Sequence, residues 1–199
     1  MAGFAALVLA AGAGTRFGGG KLLAPNGSGV LLDGALAAAF AAPADPVVLV
    51  TGFDTERVAA AARAFAERAG QGGRLSLVHA AGHAQGLSAS LRAGLAVAPP
   101  EAEGVFVFLA DMPRVPPAMA GRLAEAIGPR LAAAPMFQGR RGHPVLLRRA
   151  LFDRLAALDG DRGAGALLAG LGDELAMVET DDPGVVFDVD LPGHLEGPV

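Results

Sequence analysis

Residues 9 to 21 read Leu-Ala-Ala-Gly-Ala-Gly-Thr-Arg-Phe-Gly-Gly-Gly-Lys, and this glycine-rich stretch directly follows the apolar run Phe4–Leu9. A continuous apolar run of that length predicts a strand that is buried on both faces. Glycines allow backbone N–H groups to approach an anion closely, and Arg16 and Lys21 add positive charge. The stretch therefore predicts a buried strand that ends in a phosphate-binding loop.

Two common phosphate-loop patterns do not fit this stretch. A P-loop aligned on Lys21 requires glycine where Thr15 stands and a hydroxyl side chain where Leu22 stands. A dinucleotide-binding pattern anchored on Gly12 requires a further glycine at Phe17. The loop therefore predicts neither a P-loop ATPase nor a dinucleotide-dependent dehydrogenase.

The rest of the chain alternates between strand-like and helical segments. Apolar runs predict buried strands at 47–50, 75–78 and 105–109 and a last strand at Val185–Val189. Helical spacing predicts helices at 31–40, 54–68, 87–98, 117–130, 148–158 and 163–171, and a hairpin is predicted from Ala134–Gln138 and His143–Leu147. This order predicts an α/β fold in one domain, with a Rossmann-like, doubly wound, mostly parallel sheet and a small antiparallel hairpin insertion.

The composition excludes several classes of function. The 199 residues include no Cys, Trp or Tyr, and the formal net charge is −4. The lack of cysteine excludes disulfides and thiolate metal sites, and the lack of basic clusters with stacking rings argues against nucleic acid as a partner. Strand-like sequence follows Met1 at once and no apolar run is long enough to span a bilayer, so we expect no signal peptide, no membrane association and a cytoplasmic location. The only lysine among 16 basic residues is Lys21, which suggests a chemical role for it.

Acidic residues follow two of the predicted strands, at the sheet edge where ligands bind in such folds. Asp111 comes after the run at 105–109, and Asp188 and Asp190 end the predicted last strand, where alternation puts both side chains on one face. Each carboxylate alone is equally typical of a turn. Together they would converge on one crevice, where Mg²⁺ is usually held by one or two carboxylates and by substrate phosphates.

The ordered motifs resemble the nucleotidyltransferase superfamily and, within it, the molybdenum cofactor cytidylyltransferases, which are MobA-like NTP transferases. The similar segments lie at 9–12, 16–18, 21–23, 86–91, 109–113, 142–145, 160–164 and 188–190. The resemblance extends from Leu7 to Leu195. It implies one nucleotidyltransferase domain over residues 1–199, with a fold of the nucleotide-diphospho-sugar transferase type. It also implies transfer of CMP from CTP to the terminal phosphate of a molybdopterin-type molybdenum cofactor, with release of pyrophosphate.

The resemblance implies roles for individual residues as well. Those implied to bind the nucleotide are Leu9, Ala10, Ala11, Gly12, Gly14, Arg16, Lys21, Gly86, Ser88 and Ser90. Arg16, Lys21 and Asp111 would be catalytic. The implied ligands of Mg²⁺, for which Mn²⁺ is an alternative, are Asp111, Asp188 and Asp190. The residues implied to face the acceptor are Gly142, His143, Pro144, Asp161 and Arg162. A molybdenum hydroxylase or its maturation factor would be the protein partner.

Several alternatives stay open on the sequence. The chain departs from the family's Thr-Pro-Glu-Asp-Leu after Asp190, which leaves open whether Asp188 or Asp190 binds the metal. Ala11 after Ala10 favours the cytidylyl branch over a guanylyltransferase of the same cofactor. A sugar- or alditol-phosphate nucleotidyltransferase and a non-catalytic cofactor carrier also remain.

Two groups of side chains have no assigned role. His79, His83 and His194 show no metal-ligand spacing and are interpreted as solvated or packed. The pair Arg140 and Arg141 is interpreted equally as a solvated turn or as a phosphate contact.

Overall fold

One eight-stranded sheet forms the centre of the computed structural model, which describes residues 3 to 158 and 164 to 195. The strands are β1 (Phe4–Ala10), β2 (Pro25–Asn26), β3 (Gly29–Val30), β4 (Ala44–Thr51), β5 (Leu75–His79), β6 (Gly104–Leu109), β7 (Ala132–Phe137), β8 (Arg140–Arg141), β9 (Val145–Arg148) and β10 (Leu175–Glu179). The helices are α1 (Leu31–Ala41), α2 (Thr55–Arg68), α3 (Leu87–Ala96), α4 (Met119–Ala126), α5 (Phe152–Ala156) and α6 (Gly165–Ala169). In the described part of the chain, no helix has the length and apolarity that a membrane span requires.

The strand order puts β1 in the middle of the parallel part of the sheet. The order is β10-β7-β9-β6-β1-β4-β5, with β8 paired to β7, and β2 and β3 form a separate two-stranded ladder. β1 pairs in parallel with both β4 and β6. β9 runs antiparallel to both of its neighbours, β6 and β7. The predicted hairpin is therefore present, and its returning strand β9 is part of the main sheet.

Apolar side chains fill both faces of the sheet. Because successive side chains of a strand point to opposite faces, Ala6 and Val8 of β1 join the core under α1, α2 and α4, and Ala5 and Leu7 join the core under α3, α5 and α6. All four side chains are fully buried. Helices on both faces of a mostly parallel sheet confirm the predicted doubly wound α/β fold.

The end of the chain differs from the prediction. Val185–Val189 is predicted as the last strand but is not a strand. Its first two residues belong to the short 3-10 helix Pro183–Val186, and the remaining ones follow without strand pairing. This segment makes single backbone contacts with two different loops: the His143 N–H donates to the Val185 carbonyl, and the Val189 N–H donates to the Asp111 carbonyl. The last strand is β10, an edge strand that the sequence did not predict because its apolar run is short and ends in Glu179.

Two helices are also shorter than predicted. α4 covers only the centre of the predicted 117–130, and the segment predicted at 148–158 begins with a 3-10 turn before α5. Prolines at positions 116 and 117 and Gly128 delimit α4, because proline and glycine disfavour the helix interior.

The loop after β6, which carries Asp111, packs closely against the backbone at Gly34 of α1 and at Gly184. A Cβ atom added to Gly34 of α1 would lie 2.2 Å from the Pro113 carbonyl oxygen, and one added to Gly184 would lie 2.0 Å from the Arg114 carbonyl oxygen. Both distances are far below van der Waals contact. The absence of a side chain at these two glycines therefore allows the loop after β6 to be held from both sides.

We expect Gly34→Ala to destabilise the fold by about 1–3 kcal/mol, because the added methyl group overpacks against backbone that cannot rotate away. Gly121 of α4 is the matched control, since nothing lies within 4 Å of an added Cβ there. Gly121→Ala should stabilise the fold by about 0.5–1 kcal/mol through helix propensity. Urea unfolding of both variants measures the difference, and equal effects would contradict the close packing of α1 on Pro113.

Candidate active site

Loops from the carboxyl ends of the parallel strands enclose a cavity of about 610 Å³, referred to below as the loop cavity. The glycine-rich loop follows β1 in the centre, Asp111 follows β6 on one side, and the loop with His83 follows β5 on the other. The lining residues are Leu9, Ala10, Ala11, Gly12, Ala13, Gly14, Thr15, Lys21, Leu22, His83, Ala84, Gly86, Leu87, Ser90, Leu109, Ala110 and Asp111. The cavity therefore lies where ligands bind in doubly wound sheets.

The glycine-rich loop folds back so that its end meets its beginning. Gly14 has a φ of 60°, and the N–H groups of Phe17 and Gly19 both donate to its carbonyl. An added Cβ at Gly14 would lie 2.9 Å from the Lys21 Cβ, so glycine permits the lysine stem to pass close by. Among the described residues, the N–H groups of Gly12 and Ala13 have no protein acceptor. These groups are available to an anion in the cavity.

Lys21 is the charged centre of the site. Its Nζ lies 2.8 Å from Asp111 Oδ2 and 3.7 Å from Asp190 Oδ1, and its side chain is only 11% exposed. Arg16 reaches the same cluster, with its guanidinium 3.2 Å from Asp190 Oδ2, but its side chain is 79% exposed. Two carboxylates and two cations from three distant segments thus meet at the mouth of the cavity.

The irregular segment after Pro183–Val186 brings Asp190 to this cluster. The hydrogen bond from the Val189 N–H to the Asp111 carbonyl, 3.0 Å long, joins the segment to the loop after β6. Val189 is fully buried and Asp188 is exposed. The expectation that alternation in a strand puts Asp188 and Asp190 on one face is wrong, because residues 188 to 190 are not in a strand. Of the two carboxylates, only Asp190 contacts Lys21 and Arg16.

The residues implied to bind nucleotide divide into two groups. Most of them line the loop cavity, including Gly86 and Ser90 at the start of α3. Ser88 is fully buried and does not line it, and its hydroxyl has no hydrogen-bond partner in the part of the chain that is described. Arg16 also lies outside the lining and reaches the site only through Asp190.

A second cavity of about 230 Å³, referred to below as the apolar cavity, adjoins the loop cavity and shares Leu9, Leu87 and Leu109 with it. Its walls are mostly aliphatic side chains from β1, β6, β9, α3 and α6. Its polar side chains are those of His143 and Arg141, and Arg141 donates to the Gly165 carbonyl at 3.0 Å. Gly142 lines the same cavity. Gly142 and His143 are thus brought together beside the loop cavity, next to the buried Pro144, whereas Asp161 and Arg162 lie outside the described residues.

Burial determines the protonation of His143. Loss of hydration lowers the pKa of its imidazole below 6.5, and the Val107 carbonyl and the charge of Asp111 only partly oppose this. The ring is therefore neutral at pH 7. Its Nδ1 lies 3.3 Å from the Val107 carbonyl oxygen, which can only accept, so Nδ1 carries the proton and Nε2 is an acceptor.

Two residues of this region were not assigned a site role from the sequence. His83 lines the loop cavity although it was interpreted as solvated or packed, and Arg141 lines the apolar cavity rather than forming only a turn. A signal for His83 was present, because it lies after a predicted strand and three residues before Gly86.

The lowered pKa of His143 predicts a pH dependence of stability. The unfolded chain takes up a proton near pH 6.5 and the folded chain only at lower pH, so the free energy of unfolding should fall as the pH drops below about 6.5. His143→Gln should weaken this dependence between pH 6.5 and the folded-state pKa. Urea titrations at several pH values measure it, and an unchanged slope in the variant would contradict the neutral buried ring.

Comparisons with solved structures agree with this fold. The crystal structure of Rv0371c from Mycobacterium tuberculosis matches with a TM-score of 0.82 and 29% identity, over 98% of this chain and 96% of that chain. Its homologue from Mycobacterium sp. strain JC1 matches with a TM-score of 0.80 and 28% identity, over 97% and 93%. The manganese complex of Rv0371c matches with a TM-score of 0.73 and 27% identity, over 90% and 88%.

Sequence comparison assigns the family. No significant match to a curated protein sequence is found. The family model described as the MobA-like NTP transferase domain matches residues 6 to 178, which include the glycine-rich loop, Asp111 and the strands that position them. The fold is of the nucleotide-diphospho-sugar transferase type. The chain belongs to the family of MobA-like NTP transferase domains.

Proposed function

We propose that this protein transfers CMP from CTP to the terminal phosphate of a molybdopterin-type molybdenum cofactor. An oxygen of the acceptor phosphate attacks the α-phosphorus of CTP, the bond from that phosphorus to the bridging oxygen breaks, and pyrophosphate leaves. The single observation that best supports nucleotidyl transfer is the position of Lys21, which lies between Asp111 and Asp190 at the mouth of the loop cavity.

The residues of the loop would bind the triphosphate. The free N–H groups of Gly12 and Ala13 supply hydrogen bonds, and Lys21 supplies a positive charge that is poorly hydrated because its side chain is largely buried. Charge interactions are stronger in such a partly dehydrated site than in water. Lys21 would thus orient the triphosphate and offset charge on the departing pyrophosphate, with Arg16 contributing from the exposed side.

The carboxylates fit a divalent cation. Asp111 and Asp190 already gather oxygen atoms around one cationic group, and Mg²⁺ and Mn²⁺ both accept oxygen ligands. No group of three or more His, Cys, Asp or Glu side chains suited to a metal occurs in residues 3–158 and 164–195, so phosphate oxygens would complete the coordination. We propose Asp111 and Asp190 as the protein ligands, and a relative, Rv0371c, has a manganese complex. Such a cation would offset negative charge on the phosphates.

The apolar cavity is the proposed place of the acceptor. Gly142 and His143 line it, and it shares Leu9, Leu87 and Leu109 with the loop cavity, which Asp111 lines. A polyol would bury hydroxyl groups against aliphatic walls, at a cost on the order of 1–3 kcal/mol for each one without a partner. The walls therefore argue against a sugar or alditol phosphate as the molecule that receives CMP. Nε2 of the neutral His143 can accept one hydrogen bond from the molecule that receives CMP.

Replacing Lys21 by Ala or Asp111 by Asn should lower nucleotidyl transfer by at least about 100-fold, because each change removes charge from the site of phosphate transfer. Pyrophosphate release from CTP in the presence of the cofactor measures the effect, with circular dichroism as the control for folding. Near wild-type release by either folded variant would contradict the mechanism.

Asp190 and Asp188 form a matched pair that tests the metal ligand. Asp190→Asn should raise the concentration of Mg²⁺ or Mn²⁺ needed for half-maximal transfer by about tenfold or more, whereas Asp188→Asn should leave it unchanged, because only Asp190 contacts Lys21. The opposite result would assign the metal to Asp188.

A panel of the four nucleoside triphosphates against molybdenum cofactor and a set of sugar and alditol phosphates separates the alternatives. We expect pyrophosphate release only with the cofactor and most rapidly with CTP. Preference for GTP would instead indicate a guanylyltransferase, transfer to a polyol phosphate would overturn the acceptor, and absence of nucleotide binding in calorimetry would indicate a carrier.

A further inference from the structure

The loop cavity has one aromatic wall. Among its lining residues, the only ring is that of His83, and the others are Ala, Gly, Leu, Thr, Ser, Lys and Asp side chains. His83 begins the 3-10 helix His83–Gln85 that follows β5, and its side chain is half-buried. A nucleotide that fills this cavity therefore meets a single π face.

The strand order puts His83 on the opposite side of β1 from Asp111. Asp111 follows β6, the glycine-rich loop follows β1, and Gly52 follows β4, which is the neighbour of β1 on the other side. Adjacent strands are about 4.8 Å apart, so the ends of β6 and β4 are separated by about 10 Å. With phosphates at Lys21 and Asp111, a nucleoside that crosses the end of β1 reaches the side where His83 lies.

Close packing fixes the position of His83. A Cβ added to Gly52 would lie 2.7 Å from the Cβ and Cγ of His83 and 2.7 Å from the Cβ of Ala11. The N–H of His83 donates to the Ala80 carbonyl. The loops after β1, β4 and β5 thus meet at this point, and the imidazole is held beside the glycine-rich loop.

The neighbouring histidine differs in its contacts. The Thr55 hydroxyl donates its one proton to the Gly52 carbonyl at 2.7 Å, so it accepts from His79 Nδ1 at 3.0 Å. His79 is thereby engaged, and it does not line the cavity. The His83 ring lies 6.1 Å from the His79 ring, edge to face, and its nitrogens have no hydrogen-bond partner within the described residues. His83 is therefore free to contact a ligand, whereas His79 is not.

We propose that His83 forms the base subsite, with its ring stacked on the face of the nucleobase. This assignment rests on the proposed nucleotidyl transfer and adds the residue that distinguishes a nucleoside triphosphate from a bare triphosphate. Stacking of a base on an aromatic side chain changes affinity by about tenfold or more, and it tolerates different bases because each one has a π face. His83 therefore supports binding of any base, and the choice among bases is left to the surrounding backbone groups.

The test compares His83→Ala and His83→Phe with His79→Ala. For each protein, the KM for CTP is measured in the transfer reaction, and inorganic tripolyphosphate is measured as a competitive inhibitor. His83→Ala should raise the KM for CTP by about tenfold or more and leave the inhibition constant of tripolyphosphate unchanged, because the inhibitor has no base. His83→Phe should restore a KM within about threefold of the wild type. His79→Ala should match the wild type.

Three results would overturn the proposal. An unchanged KM for CTP in His83→Ala would show that the ring does not contact the base. An equal loss of affinity for tripolyphosphate would show that His83 only supports the loop, and no rescue by Phe would exclude stacking. A wild-type protein that releases no pyrophosphate from any nucleotide would refute the proposed function itself, and calorimetry of CTP with wild type and His83→Ala would then still test the base contact.

Discussion

A single ammonium group shared by two carboxylates is the interaction on which the site depends. Lys21, Asp111 and Asp190 come from three segments far apart in the chain: the loop after β1, the loop after β6 and the irregular segment after Pro183–Val186. A largely buried charge without partners is costly, so Lys21, which is only 11% exposed, needs the two carboxylates in place. The same arrangement leaves positive and negative groups side by side, as the binding of both phosphate and a divalent cation requires.

Glycines make that convergence sterically feasible. Gly34 and Gly184 allow backbone to approach the loop after β6 from both sides, and Gly142 would place a Cβ 2.2 Å from the Val185 carbonyl oxygen. The segment at 183–190 is thus held between the turn that carries His143 and the loop that carries Asp111. Interactions that involve backbone on both sides leave little freedom to adjust, because no side-chain rotamer can absorb a shift. The position of Asp190 relative to His143 and Asp111 follows from this packing.

The sequence predicts the regular part of the fold well and the irregular part poorly. Continuous apolar runs such as 105–109 predict their strands because both faces of a parallel sheet are buried. Val185–Val189 carries the same signal without being a strand, since Val185 and Val189 are buried by loop packing instead of by a ladder. The pattern of apolar residues in a sequence indicates which residues are buried, but it does not show whether their backbone pairs in a sheet. For that reason Asp111 and Lys21 could be brought together from the sequence alone. The contact of Asp190 with Lys21 and the position of His83 in the wall of the loop cavity depend on tertiary packing that the sequence pattern does not show.

The two cavities differ in a way that bears on how transfer would be directed. The loop cavity has free backbone N–H groups and charge at its mouth, and the apolar cavity has aliphatic walls with a neutral histidine. Leu9, Leu87 and Leu109 belong to both, so the partition between them is apolar and thin. A phosphate would be poorly hydrated against that partition and would gain most from the charges at Lys21 and Asp111. Because Leu109 lines both cavities and lies two residues before Asp111, a phosphate held near Leu109 from either cavity would lie close to the cluster that the proposed in-line attack requires.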